Sequence, residues 1–556
     1  MLFWGVSIAL LAYLCAVQLL AARRESVIGD EPLELAVGYS YIKTGDFRMN
    51  PEHPPLAKII EALPLLALDP SLPLDSISWT KADEAGFGYR FLDRNSQSID
   101  TILFDARLMP IFLTACLGLA IALWTRNVFG PAAALLALAL YAFDPTVAAH
   151  GHYVKNDLPV TLFCFLAVIA WCGFLTRPAI RRLLLAGIAL GLAAATKFSA
   201  LFLLPVLIIL YAIRWWQGQK ELSLRHGIGS LLVTVALAAG VVFLTYGALA
   251  WGHGVRLGGI DARVCHDLID RNQARAMARL WSRGVPRVHP FLEGLLVYVD
   301  HNTVGHQAYL LGMRRTDGWW YYFPVAFAVK TPAATLVLLA VAGVLLLGRL
   351  WRARIRSVTF AWFGVCVPAA IFCAFSLRSH LNIGIRHLLP IWPFVFIMAA
   401  AVLTRVRFRY RPAVLVLLVA GLAIESVSIC PHYLAFFNIL AGGPANGPAI
   451  LADSNIDWGQ DAKNLAAWLN THGVSPVCLD YWGAADMGRL GVRGPSLPLT
   501  SERDRRATLN CVGAISTNIL YDAFSDPQRH AWLRALRPVD RIGYSIYIYD
   551  LRRVPE

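Results

Sequence analysis

The chain has 556 residues, of which 57% are hydrophobic and only 15% are charged, and its mean hydropathy is +0.54. That is more apolar surface than one water-soluble core can bury, so a soluble globular protein is excluded and a bilayer is the expected solvent. The formal net charge of +14 would suggest nucleic acid only if the basic residues formed one patch, and they are instead spread over loops between apolar segments.

Apolar runs long enough to cross a bilayer recur along the chain and predict about eleven transmembrane helices. The first run could instead be a cleaved signal peptide, because the small residues Ala21 and Ala22 end it. Its length and its lack of an N-terminal positive charge favour an anchor. The predicted spans are 3–22, 103–124, 131–149, 157–176, 181–196, 198–214, 228–251, 323–347, 358–376, 386–404 and 411–430.

Alternate connecting segments differ sharply in charge. One set contains fifteen Lys and Arg residues and a single carboxylate, Glu221. Because cytoplasmic loops are enriched in Lys and Arg, this set is predicted to face the cytoplasm, with the N-terminus inside and the C-terminal tail outside. The cations are Arg126, Arg177, Arg181, Arg182, Arg214, Lys220, Arg225, Arg349, Arg352, Arg354, Arg356, Arg405, Arg407, Arg409 and Arg411.

These patterns predict a polytopic α-helical membrane domain over residues 1–430, with outward loops 23–102 and 252–322, and a small extracytoplasmic α/β domain over 431–556. In the tail, PVCLDYWG, CVGAIST and RIGYSIYIYDL are typical of strands, and the residues after Trp458 and Pro527 are typical of helices. Cys478 and Cys511 lie in this tail, and the sequence leaves open whether they form a disulfide.

The first outward loop begins with Asp30 and Glu31, a few residues beyond the first span. A carboxylate pair at this height could take a proton from an incoming nucleophile, since a low dielectric raises carboxylate basicity. The alternative is a solvated helix N-cap, because Asp before Glu and Pro is a good helix start. The residue types alone do not decide between them.

The same loop continues with NPEHPPLAK, which contains His53 and Lys58, and then with the apolar run IIEALPLLAL. The run is too short to span a bilayer and predicts one helix lying in the membrane interface. Lys58, one turn into that helix, could reach a lipid phosphate as a point charge, or could extend its amine to water along the apolar surface.

A short outward segment, HGHYVKNDLP, connects the third and fourth spans. Asp157 in this segment is either a second carboxylate facing the same cavity as Asp30 or a helix cap. His150 and His152 are two residues apart, but no third metal ligand accompanies them.

Further cations lie at the outer ends of other spans: Lys197, Lys330, and Arg386 with His387. A charge at such depth costs about 2.5 to 3.5 kcal/mol unless it is paired or lines a wet cavity, so each is a candidate functional residue. The alternative is that these side chains extend to the interface.

Seven motifs occur in an order that resembles the dolichyl-phosphate-mannose protein mannosyltransferase and aminoarabinose transferase family, a group of GT-C-type glycosyltransferases. They are DEPLEL, HPPLAKII, HGHYVKNDLP, TKFSALFLLP, WWYYFPVAFAVKTP, GIRHLLP, and PHYLAFFN with DSNIDWGQD. The resemblance covers essentially the whole chain and implies a many-helix fold with a catalytic acid in the first outward loop. The tail differs from the carbohydrate-binding trefoil of eukaryotic members, which points to a bacterial-type enzyme in the inner membrane with a periplasmic tail.

The resemblance also implies roles for individual residues. Asp30 corresponds to the first-loop acid, Glu31 continues the pair, and Asp157 matches the second acid. His53 and Lys58 match the helix beside the donor. The candidate cations for the donor phosphate are Lys197, Lys330 and Arg386, with His387 beside the last.

The implied donor is a polyprenyl-phosphate sugar, and the implied acceptor is a protein, a lipid or a glycan. A phosphate leaves readily once Lys and Arg compensate its charge, so the reaction needs little general acid. It does need a base that deprotonates the acceptor, and Asp30 is the candidate. Attack from the face opposite the lipid gives a single displacement with inversion at the anomeric carbon. The sequence contains no Gly-rich phosphate loop, so a nucleotide-sugar site is not expected. No cofactor is implied, although the three carboxylates could hold a divalent metal.

Two other classes compete with this hypothesis. A transporter or flippase for a lipid-linked sugar would also place charged residues at helix ends, but it needs gates on both sides, and the candidate residues here cluster on one side. A non-catalytic scaffold would make Asp30 replaceable. The segment DSNIDWGQD either binds acceptor sugar or forms a structural turn.

Overall fold

This computed structural model describes residues 1–219, 223–253, 289–352, 359–407, 409–497, 511–521 and 530–553. Lys220, Glu221, Arg354 and Arg356 of the predicted cytoplasmic loops lie outside the described residues, as does residue range 254–288 of the second outward loop.

Each predicted span coincides with a helix or a helix pair. Within the described residues, seven helical segments are long and apolar enough to cross a membrane: Leu2–Arg24 (α1), Ile99–Phe129 (α7), Asp157–Thr176 (α10), Phe198–Trp216 (a 3₁₀ turn followed by α12, Leu203–Trp216), Leu224–Gly252 (α13), Ile385–Leu403 (a 3₁₀ turn followed by α18, Trp392–Leu403) and Arg411–Ile429 (α19). The remaining predicted spans coincide with shorter or bent helices: Pro131–Ala142 (α8) with Pro145–His150 (α9), Ile180–Thr196 (α11), Tyr322–Lys330 (α15) with Ala333–Arg352 (α16), and Phe360–Ser376 (α17). The multispanning helical architecture is confirmed, and the total of eleven spans stays a prediction.

Three of these helices are interrupted where the sequence demands it. Helices α15 and α16 meet at an angle of 118°, at Thr331 and Pro332, because a proline disfavours helical conformation in the residue before it. Helix α11 ends at Lys197, whose backbone is extended. Asp144 caps helix α9 by accepting the Val147 N–H, so the third predicted span is split in two.

The first outward loop is helical and packs into its own apolar core. Its helices are Glu31–Thr44 (α2), Leu56–Ala62 (α3), Leu65–Leu68 (α4), Ile77–Thr80 (α5) and Glu84–Asp93 (α6). The prediction of one helix over IIEALPLLAL is wrong, since the chain forms two short helices that meet at Leu63 and Pro64. A proline within a helix removes a hydrogen bond and breaks the pattern.

The second outward loop contributes helix Pro290–Val304 (α14) and a hairpin of strands Ala308–Leu310 (β1) and Met313–Arg315 (β2). Leu310 also bridges to Leu451 in the tail. The second loop and the tail are therefore in contact.

The tail contains a four-stranded sheet with the order β3-β4-β6-β5, in which only β3 and β4 are parallel. Its elements are Ala462–Thr471 (α20), Val477–Asp480 (β3), Val512–Ser516 (β4), Thr517–Leu520 (α21), Ala531–Arg534 (α22), Asp540–Ile542 (β5) and Ile546–Asp550 (β6). The single strand predicted over RIGYSIYIYDL is wrong. It is a hairpin whose turn contains Gly543 and Tyr544, both at positive φ.

A disulfide between Cys478 and Cys511 ties β3 to the start of β4, which answers the question that the sequence left open. Disulfides persist in oxidising compartments outside the cytoplasm. The bond is therefore consistent with the predicted outward position of the tail.

The tail is joined to the end of the first span by backbone hydrogen bonds. The Ser26 N–H donates to the Gln460 carbonyl, and the Gly29 N–H donates to the Trp458 carbonyl. These bonds fix the residues just before Asp30 against the DSNIDWGQD segment.

Candidate active site

A cavity of about 970 Å³ opens between the first outward loop, the outer ends of the spans and the tail, which is within the usual size of small-molecule sites. It brings together six of the nine candidate residues from the sequence. They are Asp30, His53, Asp157, Lys197, Arg386 and His387.

Asp30 lies directly before helix α2 with its side chain 35% exposed. Asp30 occupies the N-cap position of α2, but its carboxylate makes no capping hydrogen bond to that helix. Asp30 Oδ2 instead lies 2.9 Å from Lys155 Nζ and 3.8 Å from Arg386 Nη1. In the described part of the chain, no donor forms a hydrogen bond to Oδ1, and the partly exposed side chain lines the cavity.

The charges around Asp30 decide its protonation. Burial alone would raise the pKa of Asp30, but the Lys155 ammonium and then the Arg386 guanidinium outweigh it and hold the pKa below its ordinary value. Asp30 is therefore a carboxylate at neutral pH.

Asp157 is the first residue of helix α10 and is only 2% exposed. Its Oδ1 lies 2.5 Å from Lys197 Nζ, and its Oδ2 lies 3.5 Å from Arg386 Nη1. Both oxygens of Asp157 thus face a cation, and this carboxylate is the counter-ion that holds Lys197 and Arg386 in place.

Arg386 enters the cavity from the 3₁₀ turn that precedes helix α18. Its guanidinium stacks on the Trp458 ring at 4.4 Å, and its side chain is 8% exposed. Among the described residues, Arg386 Nε has no hydrogen-bond acceptor, and the neighbouring His387 Nε2 has no partner either. An unfilled guanidinium N–H on a buried positive charge is what a phosphate group needs.

Glu31 lies outside the cavity and is completely buried. Its oxygens accept hydrogen bonds from Arg107 Nε at 2.8 Å and Nη2 at 2.6 Å. They also accept the backbone N–H groups of Ile28 and Val154. Four donors occupy this carboxylate, so Glu31 is placed to hold Arg107 and the surrounding backbone together. Its position gives no support to the predicted catalytic role.

Lys58 and Lys330 also lie outside the cavity lining. Lys58 Nζ donates to the His53 carbonyl at 2.9 Å and lies 3.7 Å from Glu34 Oε2. Lys330 Nζ, at the sharp bend after α15, donates to the carbonyls of Leu434 and Asn455 at 2.8 and 2.6 Å. Both amines are therefore satisfied by protein groups, and the structure does not bring them to the other candidate cations.

The cavity also contains charged residues that sequence reasoning missed. Lys155 Nζ lies 2.8 Å from Glu34 Oε1 in addition to its contact with Asp30. The signal for Glu34 was its spacing, since it follows Asp30 by four residues and so lies on the same helix face. No pattern in the sequence identified Lys155, because its partners are more than 100 residues away.

Asp453 of the DSNIDWGQD segment lines the same cavity with a positive φ of 59°. Burial raises the pKa of Asp453 to about 6, although Arg386 and His306 oppose the shift. The segment is thus part of the cavity wall as well as a turn.

Ion pairs join the carboxylates of Asp30, Glu34 and Asp157 to Lys155, Lys197 and Arg386 in the cavity and to Lys58 outside its lining. Burial raises the pKa of the neighbouring Glu61 well above its usual range, so Glu61 is neutral.

In the described ranges, no three His, Cys, Asp or Glu side chains are grouped closely enough to hold a metal ion. His152, one of the two closely spaced histidines, is instead bonded to Glu25 and to the Ala148 carbonyl.

Residues 6–253 match the family model of dolichyl-phosphate-mannose-protein mannosyltransferases. Dolichyl-phosphate-mannose–protein mannosyltransferase 1 of Schizosaccharomyces pombe is 30% identical over 183 residues, or 31% of this chain. The match spans 19% of the length of that relative.

Two solved structures are similar over most of the chain. The Pmt1-Pmt2 protein O-mannosyltransferase complex of Saccharomyces cerevisiae, bound to its sugar donor, aligns with a TM-score of 0.54 and 13% identity, covering 78% of this chain and 90% of that one. ArnT from Cupriavidus metallidurans, bound to undecaprenyl phosphate, aligns with a TM-score of 0.46 and 12% identity, covering 98% and 97%.

The family match over residues 6–253 and the fold shared with the Pmt1-Pmt2 complex agree with the resemblance found in the sequence, and the chain is similar to the dolichyl-phosphate-mannose-protein mannosyltransferases.

Proposed function

We propose that this protein is a glycosyltransferase that moves a hexosyl or pentosyl group from a polyprenyl-phosphate donor to an acceptor on the outer side of the membrane. The observation that carries the proposal is the presence, in one cavity, of the unfilled Nε of Arg386 and the partly exposed carboxylate of Asp30. The first is suited to a phosphate and the second to a proton.

The two cavity aspartates have different surroundings, and these support different roles. Asp157 has both oxygens against cations and almost no exposure, so it is suited to orient Lys197 and Arg386 toward the donor phosphate. Asp30 is 35% exposed and its contacts with Lys155 and Arg386 are made by Oδ2, which leaves Oδ1 for the acceptor hydroxyl. Asp30 is therefore the general base in this proposal.

The transfer is a single displacement with inversion at the anomeric carbon. The acceptor oxygen forms a bond to that carbon while its proton moves to Asp30 Oδ1. The bond from the anomeric carbon to the phosphate oxygen breaks, and its electron pair leaves with the polyprenyl phosphate. Arg386 and Lys197 stabilise the charge that develops on the leaving phosphate.

The unfilled Nε of Arg386, beside a buried positive charge in the cavity, supports a donor that carries a phosphate. The Pmt1-Pmt2 complex of Saccharomyces cerevisiae is itself bound to a sugar donor. In this proposal the partners are a lipid-linked sugar, an acceptor protein, lipid or glycan, and the surrounding lipids of a bacterial inner membrane.

The test is turnover of a panel of radiolabelled polyprenyl-phosphate sugars by the purified protein, by Asp30→Asn and by the matched control Asp69→Asn. Asp69 is an exposed aspartate of the same loop that pairs with Lys43. We expect release of polyprenyl phosphate by the wild type and by Asp69→Asn, and a loss of at least about 100-fold with Asp30→Asn. Equal release by all three proteins would remove Asp30 from the chemistry, and release by none would refute the transferase.

A further inference from the structure

Lys155 contacts the proposed base, but it takes no part in the bond changes of the proposed transfer. It lies in the segment between helices α9 and α10, and its side chain is 6% exposed. Its ammonium joins two carboxylates of the first outward loop, at 2.9 Å from Asp30 Oδ2 and 2.8 Å from Glu34 Oε1. Its backbone N–H donates to Glu61 Oε1 at 3.2 Å, so both ends of this residue are attached to that loop.

Glu34 holds the ammonium from the side opposite Asp30. Its side chain is 2% exposed and follows Asp30 by one turn on helix α2. A lysine with one partner can rotate about its four-carbon stem, but a second carboxylate one turn away, on helix α2, confines the ammonium. Asp30 precedes the helix and is the most exposed member of the trio.

We propose that Lys155 is a positioning residue for the transfer: its ammonium, fixed by Glu34, holds Asp30 through Oδ2 and leaves Oδ1 turned to the acceptor. This inference rests on the proposed role of Asp30 as base. A base must keep its oxygen within hydrogen-bond reach of the proton it takes, and a carboxylate that rotates freely loses that alignment. Lys155 itself touches no reacting atom.

The charges that face these groups give the proposal a measurable signature. Asp30 is faced by Lys155, Arg386 and Glu34, and more remotely by Tyr89 and Asp453. Lys155 is faced in turn by Asp30, Glu34, Arg386 and Asp157.

Burial raises the pKa of Asp30, while Lys155 and Arg386 lower it, and Glu34 raises it. Removing the Lys155 charge leaves burial opposed by Arg386 alone, so the pKa of Asp30 must rise. Removing the Glu34 charge acts in the opposite direction.

The experiment labels carboxyl groups of the full chain in detergent micelles with a water-soluble carbodiimide, which reacts with the protonated carboxyl, and quantifies modification of Asp30 by peptide mapping. The pH is varied between about 5 and 8. In the wild type we expect little modification of Asp30. In Lys155→Met we expect at least about a tenfold increase near pH 6, the change that one pKa unit produces.

Three further variants separate charge from a general disturbance of the fold. Glu34→Gln neutralises the other neighbour and is expected to give no increase in labelling. Lys155→Arg keeps the charge and is expected to label like the wild type. Lys43→Met removes an exposed lysine that pairs with Asp69 and should change nothing. Should Lys155→Met not fold, Lys155→Gln carries the same expectation.

Labelling does not depend on turnover, so the two proposals fail in different ways. Equal labelling of Asp30 in the wild type and in Lys155→Met, or increased labelling in Lys155→Arg, would overturn the role of Lys155. Increased labelling in Lys155→Met together with full donor turnover by Asp30→Asn would leave Lys155 holding Asp30 and overturn the assignment of Asp30 as base.

Discussion

The substitution Glu31→Gln is expected to destabilise the protein without removing a catalytic group. Glu31 is fully buried and receives two hydrogen bonds from Arg107 and two from backbone N–H groups. Glutamine keeps one acceptor oxygen but leaves the Arg107 charge without a counter-ion in a buried site. Breaking one side of a buried ion pair costs about 3 to 5 kcal/mol.

The assay is reversible unfolding in mixed micelles, with the free energy of unfolding compared between the wild type, Glu31→Gln and Asp30→Asn. Asp30→Asn should lose much less stability, because Asp30 is half-buried and Lys155 keeps Glu34 as a partner. The double variant Glu31→Gln/Arg107→Met removes both charges and should recover part of the loss, since apolar replacement of a whole buried pair is often tolerated.

The opposite pattern would refute this reasoning. If Glu31→Gln unfolds like the wild type and yet abolishes donor turnover, Glu31 belongs to the chemistry, as the sequence alone suggested. If the double variant is no more stable than Glu31→Gln, the Arg107 charge is not the cause of the loss.

Three other substitutions test the remaining assignments. Lys330→Met leaves two buried carbonyls, including that of Asn455, without a donor, so the free energy of unfolding should fall by about 2 to 4 kcal/mol. Binding of undecaprenyl phosphate should be retained. Lost binding at unchanged stability would instead place Lys330 in the donor site. Arg386→Met should weaken that binding by about 10- to 100-fold in an equilibrium titration, with Arg386→Lys between the two, and unchanged binding would exclude Arg386 from the phosphate site. Burial raises the pKa of Asp457 to about 8. The folded protein therefore holds a proton that the unfolded chain releases near pH 4. The stability that this residue contributes must fall as pH rises from about 4 to 8. Asp457→Asn should therefore gain stability relative to the wild type at about pH 8 compared with about pH 5, and a pH-independent difference would contradict the shift.

Periodicity and charge were sufficient for the helical domain, because apolar length and the distribution of Lys and Arg are local properties of the chain. They failed where one residue changes a local outcome. Pro64 divides the helix predicted after Lys58, and Gly543 with Tyr544 turns a predicted strand into a hairpin.

The candidate site also has a part that the sequence predicts and a part that it does not. Charged residues at the outer ends of spans could be recognised in the sequence because a charge at that depth has a cost. Whether such a residue faces the cavity depends on contacts over long separations. Lys330 turns to carbonyls more than 100 residues later, and Glu31 is occupied by Arg107, 76 residues away.

The sequence by itself determined the many apolar helices, the family resemblance and the presence of an acid in the loop after the first span. Only the tertiary structure decided how the carboxylates differ: Asp30 is partly exposed in the cavity, Asp157 faces two cations, and Glu31 is buried against Arg107. The physical reason is that the role of a carboxylate is set by the charges and donors around it. Those neighbours come from helices and a tail that only folding brings together.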